Sequence, residues 1–466
     1  MDIRLDDIAS QSSAHTPRHA NILPIATKPL RGLGGSTYPT TIKDDGCLRA
    51  AVKHAQACEN GGALGNSQIG FPVSNSGQSG RAKRYELRNG LRRVTSLRRI
   101  KFCGAVPVDN FVSLKAAPDG SRAGYGGLST CASVWCCPVC AAKIAARRKT
   151  ELEEAVSWAT NNGYFVSLLT LTQRHHKGQQ LKNLWAGLSQ AWNKVTSGRR
   201  WVEFKRQLGL VGWVKAVEAT IGPHGWHLHQ HVLIFTRENP LITPVYWQRK
   251  QGRRRTPYPL EVIMPSDFIA DRWEAGLARH NIDFLRHSGG LDWQLCKPGD
   301  ETKLAGYVGK MSNFSGTADS LSSEATLGAF KQARGENRTP FQLLTDVINL
   351  GLVEDVTLWR TWEKVSHGKR ALTWSMGLRD LVQLGQEQSD EDIAAEENGD
   401  EAVAHFDRNA WKLLRQIGEA ELLDICERDG IKAAFAWLKA KEVPFIPVWE
   451  PASAPPLECL PPLPLE

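Results

Sequence analysis

The stretch Lys215-Ala-Val-Glu218-Ala-Thr220-Ile-Gly222-Pro-His-Gly225-Trp226-His227-Leu-His229-Gln-His231-Val-Leu-Ile-Phe235 decides the reading of this chain. Two runs rich in β-branched and aromatic residues, Val211 to Thr220 and Trp226 to Phe235, flank a Gly-Pro-His-Gly turn, so the segment is predicted to be a β-hairpin. Side chains alternate between the faces of a strand, which puts His227, His229 and His231 on one face with their imidazoles converging. With the turn centred on residues 223–224, Glu218 lies opposite His229 and Thr220 opposite His227, with Cβ atoms about 5 Å apart. Two imidazoles and a carboxylate can then share one divalent ion and leave positions for a phosphate oxygen. A single strand histidine is usually structural. Three alternating ones beside an in-phase glutamate are different, because crowded positive charges would depress each pKa whereas a metal compensates the crowding. The expected ligands are His229, His231 and Glu218, with His227 able to replace one of them.

Outward from the hairpin, periodicity supplies the neighbours. Tyr164-Phe-Val-Ser-Leu-Leu-Thr-Leu-Thr172 reads as a central strand, and Leu291, Trp293 and Leu295 alternate as another before Pro298-Gly299. Ile144, Leu152, Val156 and Ala159 mark one face of a helix, with Arg147–Glu151 as an i,i+4 pair on another. Leu181, Leu184, Trp185, Leu188, Trp192 and Val195 form a helical stripe, and Ser266 to about His280 is a further helix. Strands interleaved with helices and including one tight hairpin predict an α+β domain, a central antiparallel sheet with flanking helices.

A cysteine cluster precedes the first of these helices. Cys131-Ala-Ser-Val-Trp-Cys136-Cys137-Pro-Val-Cys140 carries four thiols in ten residues, and the Cys137/Cys140 spacing lets two thiolates wrap one tetrahedral ion. Cys103 and Cys131 can close a four-thiolate site, with Cys136 left over. A redox pair at Cys137/Cys140 is the alternative, but no thioredoxin-like strand–helix context surrounds it. A small module holding structural Zn²⁺ is expected. A closed four-cysteine site has no open position for substrate, so its work would be to fix the basic arm onto the core.

The 466 residues are 41% hydrophobic, which allows two or three domains and rules out a small disulfide scaffold or a wholly disordered chain. No window holds 18 uninterrupted apolar residues, so no membrane span is expected. The acidic start lacks an apolar signal core, and clustered thiols without a signal peptide suit a reducing, cytoplasmic setting. The net charge of +9 is uneven: residues 387–401 hold eight acids and no base, leaving 58 Lys and Arg against 41 acids elsewhere. A basic body of this kind suits a polyanionic partner such as nucleic acid. Composition divides the chain into a largely disordered arm over 1–85, a basic and zinc-binding segment over 86–148, a main domain over 149–385, an acidic linker over 386–404, and a short helical region with a Pro-rich tail over 405–466.

Two further features carry chemistry. Asp300 is a plausible N-cap for a helix through Tyr307 and Lys310, in which Lys303, Tyr307 and Lys310 share a stripe. A tyrosine with a lysine one turn to either side sits in positive potential, which favours phenolate and attracts phosphate; a half-buried tyrosine with snorkelling lysines is the plainer alternative. Gly306-Tyr-Val-Gly309-Lys310 is not a phosphate-cradling loop, since Met311 stands where Ser or Thr is needed, and no nucleotide motif occurs elsewhere. Arg249, Lys250, Arg253, Arg254 and Arg255 sit in a Gly-containing loop after the hairpin and could grip DNA through phosphate contacts.

Leu169-Thr-Leu-Thr172, then His229-Gln-His231-Val-Leu-Ile, then Tyr307-Val-Gly-Lys310 occur in an order that resembles the rolling-circle plasmid replication initiator (Rep) proteins of the HUH endonuclease superfamily. The resemblance is closer to the actinobacterial-type plasmid Rep family. It extends to the Cys-x-Ser-Val-Trp-x-Cys-Pro-x-Cys segment and basic helix from Cys131 to Arg148, to Leu169-Thr-Leu-Thr-x-x-His175, to Gly225-Trp-His-x-His-x-His-Val-Leu233, and to Gly-x-Arg-x-Leu-x-Trp-Ser-x-Gly-Leu-Arg from Gly368 to Arg379. It covers roughly residues 90–380.

The resemblance implies an HUH-like fold and a metal-dependent endonuclease and strand transferase. Tyr307 would attack a phosphodiester at the plasmid's double-strand origin, in a single-stranded nick region, keeping the 5′ phosphate and freeing a 3′ hydroxyl to prime synthesis. Mg²⁺ or Mn²⁺ held by His229, His231 and Glu218 would polarise that phosphate, and Lys310 would neutralise charge. Plasmid origin DNA and a host helicase and polymerase are the implied partners, with no nucleotide cofactor. Some relatives carry a glutamate four residues before the tyrosine; here that position is Lys303, and the nearest acids are Asp300 and Glu301, which puts the termination step in doubt. Competing readings are a single-strand transposase or mobilisation relaxase of the same superfamily, or a zinc-dependent DNA-binding regulator without catalysis.

Overall fold

The computed structural model describes residues 80–118, 121–247, 259–296, 337–396 and 401–448. Tyr307 and Lys310, the basic loop bearing Arg249, Lys250, Arg253, Arg254 and Arg255, nearly all of the N-terminal arm and the Pro-rich tail lie outside the described residues.

The predicted hairpin is β4 (Gly212–Gly222) and β5 (Gly225–Thr236), paired from Gly212↔Phe235 to Gly222↔Gly225. A two-residue Pro223-His224 turn closes it, and Gly225 follows at φ +91°, a conformation that disfavours a side chain. On the far side of β5 lies β3 (Phe165–Thr172), and β8 (Leu291–Leu295) and β9 (Leu372–Trp374) complete a five-stranded antiparallel sheet in the order β8-β3-β5-β4-β9. β8 behaves as an edge strand: of its residues only Trp293 is buried, its indole donating to Ser167 Oγ at 2.9 Å.

The two faces of the sheet are covered differently. Leu152, Ala155, Val156 and Ala159 of α3 (Pro138–Asn161) share a core with Val166, Val214, Ala216, Leu233 and Phe235. On the opposite face Leu169, Leu171, Val217, Ala219, Leu228 and Val232 share a larger core with α4 (Leu181–Val195) and α6 (Pro265–Leu277). Along the α3 face each strand changes from apolar to polar towards the hairpin turn: Leu233 and Phe235 give way to His231 and His229, and Ala216 to Glu218. Polar groups therefore gather at one end of an otherwise apolar surface.

A second, four-stranded sheet has the order β11-β10-β1-β2, from β1 (Val112–Ala116), β2 (Ala123–Gly126), β10 (Glu401–Phe406) and β11 (Ile446–Pro447). It packs with α11 (Arg408–Ile417), α12 (Glu419–Asp429) and α13 (Ile431–Ala440) around Phe406, Trp411, Leu414, Leu422 and Leu438. Helix α1 (Gly80–Val94) is tied to α12 by Arg81 to Asp424 and Glu427, and by a buried pair, Arg88 to Glu419 at 2.8 Å.

Three sequence expectations change here. The region after residue 405 is helical but does not stand apart: its helices share a core with Val112, Leu114 and Ala116 of β1, and β11 pairs with β10, which itself pairs with β1. The boundary at 148/149 falls inside α3, a 24-residue helix running from the cysteine loop into the main sheet's core. The acidic stretch is not an open linker. It forms α10 (Asp390–Ala395) behind a Ser389/Asp392 capping box, and seats Ile393 and Ala394 in the main core. Its acids meet bases already in place: Arg148 lies 3.4 Å from Asp390 and 3.6 Å from Glu387, and Arg99 lies 3.5 Å from Glu391. Among the described residues no helix is long and apolar enough to cross a membrane.

Candidate metal centres

Glu218, His229 and His231 come together as the pairing register requires. Glu218 is the Cα partner of His229 across β4 and β5, and Thr220 that of His227. Oε2 of Glu218 lies 3.2 Å from His229 Nε2 and 3.4 Å from His231 Nε2, and one ligand atom from each of the three residues lies within 4.8 Å of the others. Ligands about 2.1 Å from one ion stand about 3.0 Å apart at right angles and about 3.4 Å apart in a tetrahedron, so the spacing suits a single divalent cation in either geometry. Three protein ligands on one side leave positions for substrate oxygens.

β3 supplies a residue that the sequence did not single out. Thr170 pairs with His231 and Thr172 with His229, and Thr170 Oγ1 lies 2.9 Å from His231 Nδ1. With Nδ1–H donating to that hydroxyl, His231 keeps the Nε2 lone pair directed toward Glu218. A partner on the outer nitrogen sets both the tautomer and the ring plane of a metal-ligating histidine. His229 Nδ1 is buried with no hydrogen-bond partner among the described residues, a state that an ion at Nε2 alone does not relieve. In the sequence Thr170 stood within the Leu169–Thr172 motif, a polar residue at an in-phase position in an apolar strand, with no role of its own attached.

His227 is set apart from the cluster. Its ring lies 5.0 Å from that of His229, but its closer neighbour is His175, stacked at 4.7 Å and 19°. Burial first, then His229 and His175, push its pKa down to about 3. A neutral imidazole on this face adds no charge to the crowded site. His175 is likewise lowered, by burial and by His224.

The cysteines form a second cluster. Cys103, Cys131, Cys137 and Cys140 are all buried, with Sγ separations of 3.7 Å for Cys103–Cys137, 3.5 Å for Cys103–Cys140 and 3.7 Å for Cys131–Cys140. Four sulfurs about 2.3 Å from one Zn²⁺ stand about 3.8 Å apart, so these residues fit that ion. Hydrogen bonds from Cys131, Cys137 and Cys140 hold the Cys103 thiol far below its ordinary range, while Cys131 and Cys137 are raised. Cys137 stands at the N-cap of α3 and Cys140 in its first turn. Cys136 lies outside the four-sulfur group, 3.7 Å from Ser366 Oγ, and burial raises its thiol to about 12.

Tryptophans weld this cysteine loop to the main sheet. Trp135 meets Trp185 of α4 edge-on at 5.2 Å and Trp362 of α8 (Val353–Ser366) at 5.5 Å, and Trp362 stacks on Trp226 at the start of β5. Backbone acceptors complete the joint: Trp135 Nε1 donates to Lys369 O at 2.7 Å, and Trp362 Nε1 to Trp135 O at 3.1 Å. Aromatic pairs of this kind contribute about 0.5–1.5 kcal/mol each beyond their burial. The residue before the first histidine thus rests, through one ring, on the loop that carries the thiols.

Comparison with known proteins bears on both clusters. Residues 127–246 match a family described as replication protein, and that segment contains Cys131, Cys137, Cys140, Glu218, His229 and His231. Over 335 residues the chain is 27% identical to Protein rep of Streptomyces lividans, covering 60% of this chain and 70% of that one. Over 174 residues it is 28% identical to a neomycin resistance protein of Streptomyces cyanogenus, covering 32% of this chain and 37% of that one. No solved structure matches.

Proposed function

We propose that this relative of the Rep replication proteins initiates rolling-circle replication of a plasmid, nicking and rejoining origin DNA through a 5′-phosphotyrosine. The observation that carries the reading is the Glu218–His229–His231 cluster, lying within the segment that matches the replication protein family. A divalent cation there, Mg²⁺ or the more imidazole-tolerant Mn²⁺, supplies polarisation and charge neutralisation at a scissile phosphate.

The remaining work falls to side chains. Tyr307, as phenolate, attacks phosphorus; the new P–O bond forms as the P–O3′ bond breaks, and the departing oxygen takes up a proton to become the priming hydroxyl. One phosphodiester is exchanged for another, so the bond energy is kept for rejoining and no nucleotide is consumed. Lys310 offsets charge on the phosphorane-like transition state. Glu218 would complete the ligand set with His229 and His231, Thr170 orients the His231 imidazole, and the basic stretch Arg249 to Arg255 holds the strand through its phosphates. The zinc site stiffens the loop on which the hairpin leans. The strand-transfer unit is built on the five-stranded sheet in the manner of HUH endonucleases, and host helicase and polymerase act on the product.

A supercoiled plasmid bearing the cognate origin tests this. Wild-type protein with Mg²⁺ or Mn²⁺ should convert it to open circles carrying protein on the 5′ end, and Tyr307→Phe should remove the adduct while origin binding persists. An adduct from the phenylalanine variant would discard the tyrosine assignment. Binding without nicking in either metal would favour a non-catalytic regulator.

A further inference from the structure

Where α1 meets the junction of α11 and α12, the guanidiniums of Arg88, Arg92 and Arg415 gather near one carboxylate. Glu419 is engaged by Arg88 at 2.8 Å and by Asn89 Nδ2 at 3.3 Å. Beside this pair lies a cleft of about 310 Å³ lined by Asn89, Arg92, Lys412, Arg415 and Gln416, three cations and no acid. Arg92 spends its two terminal nitrogens on Asn89 Oδ1 and on the carbonyl of Cys103, which anchors the cleft wall to the thiol cluster. The Nε atoms of Arg92 and Arg415 are buried without a hydrogen-bond partner, and Arg415 makes no ion pair among the described residues. Burial, with Arg88 and Arg415 adding to it, pulls Arg92 down to about 10, and burial lowers Arg415 as well.

A purely structural network explains Arg88, which has its acid. It does not explain the half-buried Arg415 or the exposed Lys412, which add like charge beside the Arg88–Glu419 pair and make no ion pair of their own among the described residues. Arg408, Lys412 and Arg415 fall at i, i+4 and i+7 on α11, so the cations continue as a strip along one helix side, and Arg93 is exposed at the end of α1. An open strip of side-chain donors matches successive phosphates of a nucleic acid backbone better than it matches one small enclosed anion.

We propose that this cleft binds backbone phosphates of duplex DNA beside the nick site, so that helices α1 and α11, packed beside the four-stranded sheet, act as a second DNA grip outside the strand-transfer centre. The assignment rests on reading the chain as an origin-binding protein. It places the grip on α1 and α11, and the Arg92–Cys103 contact ties it to the thiol cluster.

The test compares full-length wild type with Lys412→Gln/Arg415→Gln, measuring origin-duplex affinity from 50 to 200 mM salt. Each lost phosphate contact lowers the slope of log K against log salt by about 0.9, so the double variant should lose about 2 from it. Nicking of a single-stranded oligonucleotide spanning the nick site should stay at the wild-type level. A control pair on α13, Lys432→Gln/Lys439→Gln, removes the same charge and should leave the slope alone. A wild-type slope in the cleft variant overturns the proposal, as does an equal fall in the control. If inorganic pyrophosphate raises the Tm of wild type but not of the cleft variant while the DNA slopes agree, the cleft takes free anions and the DNA assignment falls. Should the Arg415 change unfold the protein, Lys412→Gln alone carries the test, with a loss of about 1 in slope. Binding is read without nicking, so a wild type that binds and never nicks would overturn the catalytic reading and leave this one standing.

Discussion

Thr170 and His231 face each other across β3 and β5 with Oγ1 2.9 Å from Nδ1, so the hydroxyl of one strand orients the imidazole of the next. Removing such an outer partner costs roughly 10–100-fold in metal affinity. Thr170→Val should therefore weaken Mn²⁺ binding by that factor, measured by titration calorimetry. Thr170→Ser should keep it. Nicking by the valine variant should recover at high Mn²⁺, whereas a defect that excess metal does not mend would mean the threonine acts only in packing.

The thiol cluster predicts one tightly held zinc per chain by elemental analysis. Cys131→Ser should lose it and lower Tm, because a structural ion's binding energy is folding energy. Cys136→Ser, whose sulfur faces Ser366, should retain the zinc. Equal zinc loss from both variants would remove the distinction drawn between these neighbours.

Glu151 lies under two guanidiniums, Arg148 and Arg379, with Oε2 3.0 Å from each. All three residues are buried. Neutralising the shared carboxylate leaves Arg379 without an acid and Arg148 with only its longer contacts to Asp390 and Glu387, and breaking a buried pair of this kind costs about 3–5 kcal/mol. Glu151→Gln should shift the urea midpoint down accordingly, far more than Glu153→Gln at its half-buried pair with Lys149. A change below about 1 kcal/mol would mean water reaches the network.

Lys215 stands in β4 beside Val232 and Thr373, and burial pulls its amine down to about 8. An unfolded lysine titrates near 10.4, so between about pH 8 and 10.4 the unfolded chain holds a proton that the folded protein lacks. Stability should rise with pH across that window. Below it the folded state carries a steady penalty of about 3 kcal/mol. Lys215→Met should raise the urea midpoint at pH 7, with the gain shrinking to nothing near pH 10.5. A gain independent of pH would trace it to packing alone.

How far the site was legible depended on distance along the chain. The hairpin register, and with it the pairing of Glu218 with His229, followed from a two-residue turn and an alternation of period two, both local. The four cysteines were named from the sequence, Cys137 and Cys140 by their spacing and Cys103 and Cys131 as the pair able to close the site, and the fold brings the same four together. Thr170 was not legible, because whether β3 lies beside β5, and in which register, is settled by burial of both strands and not by either alone. The acidic stretch misled for a related reason: its composition reads as solvated, yet Ile393 and Ala394 seat it against a surface whose bases lie some 250 residues away.

The amino-acid order alone therefore determined which side chains share a face and which thiols can reach one ion, since those relations are set by backbone geometry over a few residues. The tertiary structure alone decided that the chain's two described ends build one sheet, that Arg92 and Arg415 meet over Glu419, and that Trp135 couples the thiol loop to the hairpin. Those relations come from long-range burial of apolar surface, which many sequences could satisfy in several ways, and only the assembled core selects one.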